Sequence, residues 1–190
     1  MIDYTKQINN YFSRLGKTMD NLDKQEINNF MNVLLKARDE GKHIFIMGNG
    51  GSGATASHYC GDFNKGMSYK QPSKFKLICL NDNAPSLLAY ANDISYDDVF
   101  VEQLKNFYQK GDLVIGISGS GNSKNVLKAI DYANENGGET IGLTGYDGGE
   151  LRRKAKHSVH VDIDDMQITE DLHMALCHMM YSILMTDKNL

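Results

Sequence analysis

The chain has 190 residues, 41% of them hydrophobic and 23% charged, with 20 Lys and Arg against 24 Asp and Glu. That length and balance fit one domain with a sizeable core, and a formal net charge of −4 gives no global attraction for nucleic acid. No apolar run approaches the roughly 18–20 residues that span a membrane.

The start, Met1 to Lys6, lacks the basic-then-apolar pattern of a signal peptide. Cys60, Cys79 and Cys177 form no Cys-x-x-Cys pair, which argues against a disulfide framework. A cytoplasmic protein is therefore expected, with neither nucleic acid nor membrane as a partner. With only two prolines and no low-complexity tract, residues 1–190 read as one domain: a helical hairpin over 1–41 and an α/β core over 42–190.

In the hairpin, Ile8, Tyr11, Phe12 and Leu15 recur at helical spacing. After Asp20-Asn21, so do Ile27, Phe30, Met31, Leu34 and Leu35, and Gly41 is placed to end the second helix. These apolar stripes need a surface to cover, and a subunit interface is the expected use.

From His43 onward, short apolar runs alternate with helical segments. Strands are predicted at His43–Met47, Phe75–Leu80, Leu113–Ile117, Thr140–Thr144 and Ser158–Val161. Their apolarity is continuous rather than alternating, which marks strands covered on both faces and hence a parallel sheet. Helices are predicted at Gly53–Asn64, Ala84–Ala91 with Asp97–Tyr108, Lys124–Asn136, Gly148–Ala155 and a long last one from Thr169 to Met185. The fold class is thus α/β, a three-layer αβα sandwich, in which ligands sit at the carboxyl ends of strands where strand order reverses.

Two loops follow strands in the manner of anion sites. Ser118-Gly119-Ser120-Gly121-Asn122-Ser123 joins a buried strand to a helix start, where unpaired N–H groups and the dipole favour a phosphate. An ordinary connection capped by Ser123 is the plainer reading. Gly48-Asn49-Gly50-Gly51-Ser52-Gly53 does the same after the first strand; it lacks both the dinucleotide fingerprint and the Gly-Lys-Ser/Thr of a P-loop. A shared small anionic ligand explains two such loops better than two unrelated turns.

His58 and Asp62 stand four apart on one helix face, as a metal pair, an acid–base pair or a surface contact would. In the last helix Thr169 is placed as a cap, with Glu170 and Asp171 in its first turn. His173 and His178 are five apart and face different ways; taken alone, His178 among Leu176, Cys177, Met179 and Met180 reads as a core residue. Asn92-Asp93 reads as a turn and cap.

Together these segments resemble the sugar isomerase (SIS) domain, and within it the phosphoheptose isomerases. The resemblance covers essentially the whole chain, through Gly48–Ser52, His58 with Asp62, Tyr90–Asp93, Ser118–Ser123, Leu143–Gly149 and Glu170–His178. It implies a five-stranded flavodoxin-like parallel sheet in a homotetramer, with active sites between subunits and the helical hairpins at the interface. It implies substrate contacts from Asn49, Gly50, Gly51, Ser52, Asn92, Asp93 and Glu170, and phosphate binding by Ser118, Gly119, Ser120 and Ser123. It maps a zinc ion, one per subunit, to His58, Asp62, Glu170 and His178, and the acid–base pair to Asp62 and His178. The implied activity interconverts sedoheptulose 7-phosphate and D-glycero-D-manno-heptose 7-phosphate, early in heptose supply for lipopolysaccharide or capsule.

Two positions depart from the family's pattern: Asp62 stands for glutamate and Glu170 for glutamine. The shorter Asp62 withdraws its carboxylate by roughly 1.5 Å, while Glu170 adds an anionic donor, so the pair reads as a coordinated change. The rival readings are a non-catalytic sugar-phosphate sensor, a protein scaffold on the same fold, and an isomerase of another sugar phosphate. Retention of His58, Asp62 and His178 speaks against the first two.

Overall fold

The computed structural model of the protein describes residues 1–187, so the last three positions of the expected core lie outside it. The chain opens with α1 (Thr5–Asp20) and α2 (Lys24–Asp39). Asp23 starts α2 by accepting from the N–H groups of Gln25 and Glu26, and Gly41, at φ +65°, ends the exit turn.

The alternating core follows as β1 (Ile44–Gly48), α3 (Gly51–Gly61), β2 (Leu77–Cys79), α4 (Ala84–Asp93), α5 (Val99–Phe107) and β3 (Leu113–Ser118). It continues with α6 (Lys124–Glu135), β4 (Glu139–Thr144), α7 (Gly149–Lys154), β5 (His157–His160) and α8 (Met166–Thr186). All strand pairings are parallel and the order is β2-β1-β3-β4-β5, the flavodoxin-like order expected.

The continuous apolarity of the strands has the anticipated cause. Ile44 and Ile46 enter the core layer built with α2, α3 and α8, whereas Phe45 and Met47 enter the layer under α5, α6 and α7. Alternate residues of one strand thus serve two cores.

The first two helices do not close tightly on each other. α2 lies across β5, while α1 leans on α8, where the Tyr11 hydroxyl donates to Asp171 (2.6 Å) and Arg14 pairs with Asp165 (2.7 Å). The hairpin is therefore splayed over the core. Between its arms and α8 lies an apolar groove of about 360 Å³, walled by Leu22, Ile27, Met31, Leu172, Leu176 and Met179. No helix among the described residues is long and apolar enough to cross a membrane.

The start of α8 differs from expectation. Asp165, not Thr169, caps it by accepting from Gln167 and Ile168 N–H groups (3.1 and 3.2 Å). A better cap four residues upstream extends the helix by one turn. Thr169 becomes a fully buried helical residue, and Glu170 and Asp171 lie beyond the first turn.

Candidate active site at the sheet switch point

β1 and β3 are neighbours in register, Gly48 beside Ile117, yet their following helices pack on opposite faces of the sheet. Their carboxyl ends therefore frame the crevice where strand order reverses. Both predicted loops meet there. Gly50 precedes α3 at φ +54°, a conformation that costs glycine nothing.

Neither helix start is satisfied by a side chain at its cap position. Gly50 has no side chain, and Ser123 makes no capping bond. The Ser123 hydroxyl instead lies 3.0 Å from that of Ser118. The plainer reading of Ser123 as a cap is thus replaced by a serine pair facing the crevice. Two positive helix ends converge on one point, an arrangement whose backbone N–H groups can receive an anion.

A cavity of about 150 Å³ occupies this point, walled by Asn49, Ser52, Ser118, Gly119, Ser120 and Ser123 together with Ile117, Met166 and Glu170. Glu170 reaches it from α8 and packs its carboxylate against Gly51, where a side chain would collide with it. Gly51 is a glycine because the acid needs that space.

Asn92 and Asp93 do not line this cavity. They end α4, exposed, with the Asn92 amide donating to Asp93 (2.8 Å). The same connection reaches the site three residues later through Tyr96, whose hydroxyl donates to Asn49 Oδ1 at 2.8 Å. Asn49 in turn exchanges two amide hydrogen bonds of 2.9 Å with Asn125. Sequence reasoning missed Asn125 and Tyr96, because each lies just outside a motif and resembles an ordinary helix-start or loop residue.

The second cluster forms farther along α3. His58 Nε2 lies 3.3 Å from Asp62 Oδ2 and 2.9 Å from His178 Nε2, and one donor atom from each of the three lies within 4.8 Å of the others. The contact between His58 and Asp62 is the expected i,i+4 pair. Here the α-helix loosens into a π-helical segment, Asp62–Met67, of the kind that gathers at functional sites. His178 is exposed and His173 is the buried one, which reverses the core reading of His178 taken alone.

Glu170 is not part of this group within one chain. It precedes His178 by eight residues on unbroken α8, about 12 Å along the axis, and its carboxylate sits at the loop end. Behind the group, the buried Cys177 thiol contacts Asp62 Oδ2 at 3.9 Å. Burial and that carboxylate push the thiol's pKa up, so it is an inert weak donor.

His173 is wholly buried, with Nε2 3.3 Å from the Thr144 carbonyl. Burial lowers its pKa to about 4, so it is neutral at pH 7 and its ring N–H supports the end of β4 beneath the loops.

A flavodoxin-order sheet with an anion cradle at its switch point and an imidazole–carboxylate group nearby defines a protein that acts on small phosphorylated ligands. Known proteins agree. The family described as SIS domain matches residues 3–145. A probable phosphoheptose isomerase of Thermoplasma acidophilum is 37% identical over 174 residues, covering 92% of this chain and 95% of that protein. The phosphoheptose isomerase of Helicobacter pylori strain P12 is 34% identical over 167 residues, covering 87% of this chain and 85% of the other. The solved structure of phosphoheptose isomerase GmhA from Neisseria gonorrhoeae superposes with a TM-score of 0.88 at 26% identity, over 97% of this chain and 100% of that one. The chain belongs to the SIS domain family, within its phosphoheptose isomerase branch.

Proposed function

We propose that the protein interconverts sedoheptulose 7-phosphate and D-glycero-D-manno-heptose 7-phosphate through a cis-enediol. The observation that carries this reading is the division of the site. The cavity between the two glycine- and serine-rich loops lies at the start of α3, and His58, Asp62 and His178 gather about 10 Å farther along that helix. A substrate engaging both must be extended, with its phosphate at one end and its reacting carbons at the other.

In this reading Ser118, Ser120, Ser123 and the two helix starts hold the phosphate, and Asn49, Gly50, Gly51, Ser52 and Glu170 line the sugar's path. Remote binding energy then positions the ketone. One member of the pair Asp62/His178 takes a proton from the hydroxymethyl carbon beside the ketone. The C–H electrons form the enediol double bond, and the ketone oxygen gains a proton. Return of a proton to the former carbonyl carbon, with loss of one from the terminal oxygen, gives the aldose. No atom is gained or lost.

The donor set His58, Asp62 and His178 fits zinc. It supplies two imidazoles and a carboxylate, and the 2.9 Å between imidazole nitrogens is close to the roughly 3.3 Å that two nitrogens on a tetrahedral ion require. Three protein ligands leave one position open, the usual pattern of a catalytic site. When bound, the ion would polarise the sugar's carbonyl and hydroxyl oxygens.

We further propose a cytoplasmic homotetramer that serves surface-polysaccharide synthesis. Exposed Ile8 (51%) and Phe12 (63%) on α1, beside the apolar groove, support burial against another copy. Glu170 stands apart from the other three proposed ligands, which is consistent with a site shared between subunits.

The test is conversion itself. Purified protein is incubated with sedoheptulose 7-phosphate, fructose 6-phosphate and ribulose 5-phosphate, and aldose formation is followed by proton NMR. The reading predicts turnover of the heptulose in preference to the shorter sugars. Binding without turnover would instead favour the sensor reading.

A further inference from the structure

The contact between Asn49 and Asn125 joins the two loops, and its direction is fixed by the backbone. Asn125, 2% exposed, accepts a hydrogen bond from the Val126 N–H at 2.9 Å. A backbone N–H only donates, so the atom there is Asn125 Oδ1 and the amide cannot be turned over. Asn125 Nδ2 therefore faces Asn49, and the atom that it meets at 2.9 Å must be Asn49 Oδ1. That same oxygen takes the Tyr96 hydroxyl at 2.8 Å, so both of its lone pairs are used. Asn49 Nδ2 gives one hydrogen to Asn125 Oδ1 at 2.9 Å. Its second hydrogen has no acceptor among the described residues, and Asn49 is part of the cavity wall.

We propose that Asn125 and Tyr96 are positioning residues: they lock Asn49 so that it faces the cavity as a hydrogen-bond donor and never as an acceptor. The substrate atom at that point is then an oxygen acceptor, either a phosphate oxygen or a sugar oxygen. The network also ties the β1–α3 connection, the first turn of α6 and the Tyr96 turn into one frame. A free Asn49 would present either end of its amide, and half of those encounters would set oxygen against oxygen. The inference rests on the isomerase reading for its kinetic arm only.

The test compares full-length wild type, Tyr96→Phe and Asn125→Ala. Kinetics on sedoheptulose 7-phosphate are measured beside melting temperature. Side-chain amide signals of ¹⁵N-labelled protein are titrated with inorganic phosphate. The proposal predicts a loss in kcat/KM of about ten- to a hundredfold for Asn125→Ala and of about three- to tenfold for Tyr96→Phe, because Asn49 is no longer held in the direction that donates to the substrate. Tyr96 is half exposed, so Tyr96→Phe should melt with wild type and keeps the test valid even if Asn125→Ala fails to fold. In wild type the two Asn49 amide protons should be unequal in solvent exchange, with phosphate shifting the freer one. In the variants that inequality should collapse. Wild-type values of kcat/KM in both variants, or equal Asn49 protons in wild type, would overturn the proposal. If wild type turns over none of the sugar, the isomerase reading fails while the amide arm still decides this one.

Discussion

Replacing Gly51 with alanine separates the site from the fold. A Cβ at Gly51 would stand 2.6 Å from the carboxylate carbon of Glu170 and would meet one carboxylate oxygen more closely still. Ordinary contact begins at 3.4 Å, so with that oxygen as the nearest atom the carboxylate must retreat by about 1 Å. Glu170 is a flexible side chain beside a cavity, so the retreat costs the fold little. Alanine also gains up to about 1 kcal/mol of helix propensity over glycine. Stability should therefore hold or rise slightly. Activity should not, because a misplacement near 1 Å in an active site costs on the order of a hundredfold. Urea unfolding and steady-state kinetics on the same preparation supply both numbers. A variant of wild-type stability with wild-type kcat/KM would remove Glu170 from the substrate's path.

Three further outcomes are expected. Ser123→Ala removes a hydroxyl donor to a dianion, a bond of about 1.5–3 kcal/mol, so KM for the sugar phosphate should rise about ten- to a hundredfold at a melting temperature near wild type. An unchanged KM would return Ser123 to a structural role. Zinc at a hundred times its dissociation constant should add about 2.7 kcal/mol and raise the melting temperature by about 5–10 °C, and His178→Ala should abolish the shift. An equal shift in the variant would place the ion elsewhere. His173 is neutral when folded, with its pKa lowered by burial to about 4 against 6.5 unfolded. The unfolded chain therefore binds the extra proton first, and stability should fall by about 3 kcal/mol as pH drops from 6.5 to 4. His173→Leu should flatten that part of the pH–stability curve, and an unaltered slope would contradict the assignment.

Much of this was legible in the sequence because the signals are local. Five apolar runs gave the five strands, since a strand buried on both faces must be apolar throughout. The glycines of residues 48–53 and the serines of 118–123 marked the two loops that wall the cavity at the switch point. What sequence could not give was which groups meet across the fold. Thr169 is a sound cap by type, yet Asp165 outcompeted it four residues upstream. His178 sits among apolar neighbours in the chain, but the helix turns it outward to His58, 120 residues away. Glu170 and His178 share a helix, and only its straight length shows that they serve different ends. Asn125 depends on a partner 76 residues away, and no spacing rule announces an amide pair of that kind.

The central claim is that Asp62 and His178 move a proton on the sugar, and solvent exchange reads that event directly. Sedoheptulose 7-phosphate would be incubated in D₂O with the protein, with and without zinc, and with His178→Ala as the control. The account predicts a new aldose signal and deuterium on the carbon that had been the ketone, both lost in the variant. A sugar phosphate that binds and is recovered unlabelled would contradict it.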